Sequence, residues 1–220
     1  GLLDLPRIRS ALTQVGATLV LDVTQSLGAL PLDLQAVDPD FMVAACYKWL
    51  LGPYSTGFLY VAPRWHGGTP LEHNWIAREG SEDFSGLVNY RDGFRAGARR
   101  YDVGEPSNFA LLPMVAEGLR QIEEWTIPRI QASLAAYCNT IVDAVAPLGL
   151  TAVPADRRAG HYLGLRRPAG LPPAVGARLA ESRVYISMRG PSLRVTPHLY
   201  NDATDLDRLV AALRAFMRGT

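Results

Sequence analysis

Read for the spacing of apolar and polar positions, the chain opens on a short helical segment and then alternates unbroken apolar runs with turn-rich stretches. Pro6 to Gln14 form a helix with proline in its first turn, and Ala17-Thr18-Leu19-Val20-Leu21-Asp22 is an apolar run ending on a carboxylate, the pattern of a buried parallel strand. Asp33 to Val37 predict a brief helix, and Phe41-Met42-Val43-Ala44-Ala45 a second strand that runs into Tyr47-Lys48. Gly57 to Val61 form a third strand, set off by Gly52-Pro53 and closed by Pro63. Residues 64 to 108 show no sustained period and read as long loops at a functional rim.

Helical spacing returns with Leu112, Val115, Ala116, Leu119 and Ile122, and again after Pro128 with Ile130, Leu134, Ile141, Val142 and Val145. The remainder reads as an α/β unit: a strand from His161 to Leu165, a helix from Pro172 to Glu181, strands Val184 to Ser187 and Leu193 to Val195, and a last helix. That helix places Leu206, Leu209, Val210, Leu213, Phe216 and Met217 on one face, with Asp202 as N-cap and Gly219 after its end. The expectation is an α/β protein, with a large unit over residues 1–125 and a smaller one over 126–220. The opening Gly1-Leu2-Leu3-Asp4-Leu5-Pro6 runs straight into this patterning and reads like the middle of a domain.

Composition narrows the class of partner. The chain has 220 residues, 48% hydrophobic and 20% charged, with a formal charge of +1, which points to a small-molecule partner and away from nucleic acid or an anionic membrane. No apolar run approaches a membrane span. Its two cysteines, Cys46 and Cys138, lack the spacing of a zinc site or a disulfide framework, so a reducing cytoplasm is expected and both read as core thiols. The four histidines are too scattered to make a metal site from sequence, and none is assigned.

The chemistry lies at the ends of the first two strands. In an open parallel sheet both carboxyl ends reach one edge, so Asp22 and Lys48 bring a carboxylate and an amine to one crevice. Two readings stand: a salt bridge, or a clamp on a cofactor. Pyridoxal 5′-phosphate needs that pair, an amine to hold its aldehyde and a carboxylate to keep its pyridine nitrogen protonated.

The residues around the pair extend the pattern. Asp22-Val23-Thr24-Gln25-Ser26-Leu27-Gly28, Asp40-Phe41, Tyr47-Lys48-Trp49-Leu50-Leu51-Gly52-Pro53, Gly57 to Val61, Gly104 to Asn108, and Leu193-Arg194-Val195-Thr196-Pro197-His198-Leu199-Tyr200-Asn201 together resemble the signature of class V aminotransferases over essentially the whole chain. The resemblance implies the C-terminal part of a longer fold-type-I enzyme, with the C-terminal portion of the large parallel-sheet domain over residues 1–125 followed by a small C-terminal α/β domain over 126–220. It also implies pyridoxal 5′-phosphate as cofactor, an amino acid as substrate, and a homodimer.

By the same resemblance, Lys48 forms the Schiff base and moves the substrate's α-proton, Asp22 pairs with the pyridine nitrogen, and Gln25 hydrogen-bonds the ring's phenolic oxygen. Arg194 grips the substrate carboxylate, a task suited to a planar guanidinium; taken alone, it reads as a surface arginine. Tyr47 stands where many relatives have histidine, as in kynureninase-like members, and its phenol remains a donor for the cofactor phosphate. Glu105 replaces the usual phosphate-site threonine, which leaves Ser107 or a backbone amide to take that role.

The resemblance also implies that a cysteine desulfurase of this family would carry a nucleophilic cysteine shortly before the substrate arginine; Ser187 to Ser192 contain none, which disfavours sulfur transfer through a persulfide. Asn74, Trp75, Arg78, Arg99 and Arg100 read as a solvated rim rather than as catalytic groups. Relatives begin with a long stretch, absent here, that completes the cofactor pocket. Two functions therefore compete: a pyridoxal-phosphate enzyme performing transamination, a kynureninase-like lyase reaction or epimerisation, and a truncated, non-catalytic dimerisation or scaffold module.

Overall fold

The computed structural model describes residues 2–86, 88–172 and 174–218, which fold as two compact units. One contains residues 4–28 and 32–124; the other contains residues 2–3, 29–31 and 125–218.

In the first unit, helix α1 (Leu5–Gln14) is started by Asp4, whose carboxylate accepts the Arg7 N–H at 3.0 Å, with Pro6 in the first turn. Strands β1 (Val20–Asp22), β2 (Phe41–Ala45) and β3 (Gly57–Val61) form a sheet in the order β1-β2-β3. Between β1 and β2 lies helix α2 (Leu34–Val37), capped by the Asp33 carboxylate on the N–H groups of Gln35 and Ala36. The β1 and β2 pair is parallel, with Asp22 opposite Val43.

Two expectations about this sheet are corrected. It is mixed, because β3 runs antiparallel to β2 with Ala45 opposite Gly57. The connection over residues 46–56 is shorter than the roughly dozen residues a parallel crossover requires. Nor is β1 a buried strand. Paired positions share a face, and on the face of β1 that carries Val20 the residues Val20 (62% exposed), Val43 (39%) and Leu59 (41%) are exposed, although Val61 at its far end is buried. Met42 and Ala44, on the opposite face, are buried.

Among the described residues of 62–111 the regular structure consists of short 3₁₀ helices and one isolated antiparallel bridge, Arg78 with Phe94, and helix α3 (Leu112–Trp125) follows, burying Val115, Gly118 and Ile122.

The second unit begins at the end of α3 and continues through helix α4 (Ile127–Val145), whose buried residues Ile130, Leu134, Cys138, Ile141 and Val145 recur at helical spacing. Strands β4 (Leu163–Arg166), β5 (Ser187–Arg189) and β6 (Ser192–Val195) form an antiparallel sheet in the order β4-β6-β5. Helices α5 (Val175–Glu181) and α6 (Ala203–Arg218) pack with α4 on a core that includes Leu163, Leu165, Leu193, Leu209 and Leu213. Each fully buried leucine there contributes about 1.5–3 kcal/mol.

Element boundaries in this unit differ from expectation. The strand expected from His161 starts at Leu163, because His161 lies in the preceding turn. The strand expected over 184–187 begins only at Ser187, since Val184 donates its N–H to Leu179 O to close α5, and Val184 and Ile186 pack against the core. Helix α5 starts at Val175 rather than Pro172, and Pro173 lies outside the described residues. Asp202 caps α6 as expected, accepting the N–H groups of Thr204 and Asp205; Gly219 lies outside the described residues.

Candidate functional site

The carboxyl ends of β1 and β2 meet through one threonine. Thr24 donates its backbone N–H to Asp22 Oδ1 at 2.9 Å, while its hydroxyl accepts the Ala45 N–H at 3.0 Å, joining the two strand ends. Hydrogen bonds from the Thr24 side chain and backbone, with a smaller contribution from the Lys48 charge, hold the Asp22 carboxyl below its ordinary value against a weak opposing effect of burial. Asp22 is therefore an anion at neutral pH before any ligand arrives. Gln25 is half-buried three residues on, in the turn leaving β1.

Lys48 sits in the turn beyond β2. Its Nζ lies 5.3 Å from the centroid of the Tyr47 ring, within reach of a cation–π interaction. Tyr47 stacks on Tyr54, with ring centroids 4.2 Å apart and planes 15° off parallel.

The turn itself is tied down. Cys46 N–H donates to Thr56 O, Gly52 N–H to Cys46 O and Leu51 N–H to Lys48 O. Leu51 (φ 56°) and Ser55 (φ 65°) both hold left-handed backbone, which costs a non-glycine residue of order 1–3 kcal/mol and persists only where the surroundings enforce it.

At the opposite end of β2 the placement of the strand is fixed by Asp40, which is 4% exposed. Its Oδ2 accepts Leu19 N–H at 2.7 Å and Arg9 Nη1 at 2.9 Å; its Oδ1 accepts Arg64 Nε and Trp65 Nε1, each at 2.7 Å. Burial alone would raise this carboxyl. Hydrogen bonds from Trp65, Leu19 and Arg64, together with the Arg64 charge, override it and hold the group well below the usual carboxylate range.

Among the residues expected to carry the chemistry, Lys48 lies over the Tyr47 ring and its charge acts on the Asp22 carboxyl. Ser107 is exposed in the segment before α3. In that segment the Gly104 N–H already donates to the Glu72 carboxylate at 2.9 Å, and Glu105 has a left-handed backbone (φ 55°). Arg194 belongs to the other unit, on β6 opposite Gly164 and Ser187, with its guanidinium 5.4 Å from the Tyr162 ring.

Of the rim arginines, Arg100 donates to Arg95 O and Gly68 O, and Arg78 donates to Asp92 O while lying over Phe94, so both hold loops together. Trp75 and Arg78 also line a cavity of about 600 Å³ within residues 73–92. Both cysteines are buried, and burial pushes the Cys138 thiol up to about 11 against a smaller lowering by the Arg158 charge.

Two features escaped sequence reasoning. Thr24 was legible as the second residue after a strand-end aspartate, a spacing that favours a local turn bonded to the carboxylate. The other is compositional: Lys48 is the only lysine in the chain, and every other residue among the 22 basic side chains is arginine.

Comparison with known proteins decides the family, since the description of class V aminotransferases matches residues 2–209. The chain belongs to the class V aminotransferase family. It is 24% identical to kynureninase of Shouchella clausii over 99% of its own length and 52% of that protein. It is 28% identical to isopenicillin N epimerase of Streptomyces clavuligerus, over 91% of the chain and 53% of the relative. This class V chain thus spans about half the length of the curated relatives it matches. Among solved structures, a cysteine desulfurase from Escherichia coli superposes with a TM-score of 0.79 at 20% identity, over 99% of this chain and 56% of that one. An alanine–glyoxylate aminotransferase from Nostoc sp. gives 0.69, also at 20% identity, over 96% and 56%. The fold is accordingly that of fold-type-I enzymes. Among the described residues, no helix is long and apolar enough to cross a membrane.

Proposed function

We propose that this chain is the part of a pyridoxal-phosphate-dependent enzyme that carries the covalent anchor for the cofactor, and that the enzyme acts on an amino acid. The observation that carries the reading is the solitary lysine. A guanidinium stays protonated and does not attack an aldehyde, yet it serves wherever a fixed positive charge suffices. Arginine fills every other basic position, so residue 48 is distinguished by a property only an amine has. That amine lies close enough to an already ionised Asp22 for its charge to act on the carboxyl.

These residues fit the cofactor at both ends: Lys48 for its aldehyde, and Asp22, held anionic by Thr24, for a protonated pyridine nitrogen. When bound, the cofactor supplies a ring that accepts electrons from the substrate's reacting carbon. Lys48 would hold it, and its Nζ would remove and return the substrate's α-proton. Gln25 bonds the phenolic oxygen, Tyr47 and Ser107 contribute to the phosphate site, and Arg194 takes the substrate carboxylate.

In this reading residues 1–125 are the C-terminal portion of the large cofactor-binding domain and 126–220 the small domain. The enzyme is a cytoplasmic homodimer, and its reaction is an amino-group transfer or a kynureninase-like lyase step. With both thiols buried and the Cys138 thiol held protonated, transfer of sulfur through a persulfide is set aside.

The test is direct. Protein incubated with pyridoxal 5′-phosphate is expected to turn yellow and to lose the colour on borohydride reduction, leaving a stable label on the peptide containing Lys48. A protein that stays colourless and unlabelled would favour the scaffold role instead. For a labelled protein, a panel of amino acids with an oxoacid acceptor separates amino-group exchange from lyase release.

A further inference from the structure

The three carbonyls that follow Lys48 are seated on two glycines from elsewhere in the same unit. Gly28, with φ at 97°, lies so close to the turn that a β-carbon on it would stand 2.3 Å from Trp49 O. Gly118, on α3, approaches from helix backbone: a β-carbon there would stand 2.9 Å from Leu50 O, 2.9 Å from Leu51 O and 3.1 Å from Leu51 C. These atoms are backbone, so the contact is relieved only by moving the turn or the helix. Between the two jaws the turn holds Leu51 in left-handed backbone and closes on itself through Leu51 N–H to Lys48 O.

Gly118 needs no special dihedral, as its φ is ordinary for a helix. In a helix interior glycine is the poorer choice by propensity, and alanine would strengthen α3 considered alone. Its presence at a buried position is accounted for by the approach of the Leu50 and Leu51 carbonyls.

We infer that Gly118 is a positioning residue for Lys48: by letting α3 backbone rest on the carbonyls of the turn, it sets where the lysine amine stands relative to Asp22. The inference deepens the proposed cofactor role and rests on it. Because placement errors of about 1 Å are costly in a reacting pair, a methyl at residue 118 acts on chemistry several residues away without touching it.

The decisive comparison is parent against Gly118→Ala, each treated with pyridoxal 5′-phosphate and borohydride, and separately with trinitrobenzenesulfonate, with the products mapped to Lys48. The sulfonate reads only whether the amine is free and exposed, whereas cofactor fixation also reads its placement against Asp22. Fixation in the variant is expected to fall at least about tenfold, with trinitrophenylation changed less than about twofold and the far-UV helical signal retained. Equal fixation in parent and variant overturns the positioning role while leaving the cofactor reading intact. A parallel loss in both reactions also overturns it, since that marks general loosening. A parent that takes no cofactor removes the reading on which both depend. Should the variant not fold, amide exchange in the parent decides: the Leu51 and Gly52 amides are expected to exchange at least about a hundredfold more slowly than free peptide. Exchange at free-peptide rates would show that the turn is not held, and the inference fails.

Discussion

Replacing Asp40 by asparagine should unsettle the unit that carries Lys48 from the far end of β2. The carboxylate accepts four donors on two oxygens, and asparagine keeps one oxygen and turns the other into a donor. Two of the four donors then lose their acceptor and face an N–H group. If the oxygen remains with Leu19 and Arg9, Trp65 Nε1 and Arg64 Nε are stranded; in the flipped amide, Leu19 N–H and Arg9 Nη1 are. Each orphaned buried donor costs about 1–3 kcal/mol. The arginines have somewhere else to go: Arg64 is 38% exposed, and both arginines also reach Asp38, so their share is discounted. The net loss is about 2–4 kcal/mol, or roughly 5–15 °C in melting temperature for a chain of this size.

Tryptophan fluorescence follows the unfolding, because Trp65 is one of the donors and Trp49 and Trp75 lie in the same unit. Since the folded-state pKa of Asp40 is depressed, its contribution is fully present above the unfolded value near 4 and is lost as pH falls toward the folded one. Asp40→Asn should therefore destabilise most at neutral pH and flatten the acid limb of the stability curve. A variant within about 0.5 kcal/mol of the parent at pH 7, with the same acid limb, would refute the assigned role.

Lys48→Arg keeps the charge and should melt within about 1 kcal/mol of the parent while abolishing borohydride-fixed label; label retained elsewhere on the chain would contradict the anchor role. Thr24→Val removes the hydroxyl that lowers the Asp22 carboxyl and accepts the Ala45 N–H, so the Asp22 titration followed by NMR should move up toward its ordinary value. The Asp22 contribution to stability would then be lost at a higher pH during acidification than in the parent, and an unmoved titration would rule the Thr24 hydroxyl out as the cause. Gly28→Ala combines a left-handed dihedral with a 2.3 Å approach to Trp49 O and should cost about 2–4 kcal/mol in urea unfolding; a neutral result would mean the turn yields freely. Both thiols are buried and should react with a disulfide reagent only on unfolding.

Much of the architecture was legible because it rests on short-range rules. The β2 and β3 runs, the brief α2, the cap at Asp202 and the helical spacing of α4 all follow from local pattern. The antiparallel run of β3 was only partly legible, since residues 46–56 are short for a crossover but apolar runs carry no direction. Exposure of β1 was not legible, because an apolar run states a preference for burial and not what covers it. At the site, Asp22, Tyr47 and Lys48 could be read from strand ends. The roles of Gly28 and Gly118 depend on which backbone approaches them, and that is a tertiary fact with no local signature.

A solitary ε-amine also governs how the protein is handled. Any amine-directed surface coupling, acylating tag or short-range crosslinker that reaches a lysine side chain on this chain lands at the end of β2. A preparation immobilised or tagged that way has its proposed anchor capped and would be inert for a trivial reason. Thiol-directed attachment at an added surface cysteine avoids the loss, since both native thiols are buried.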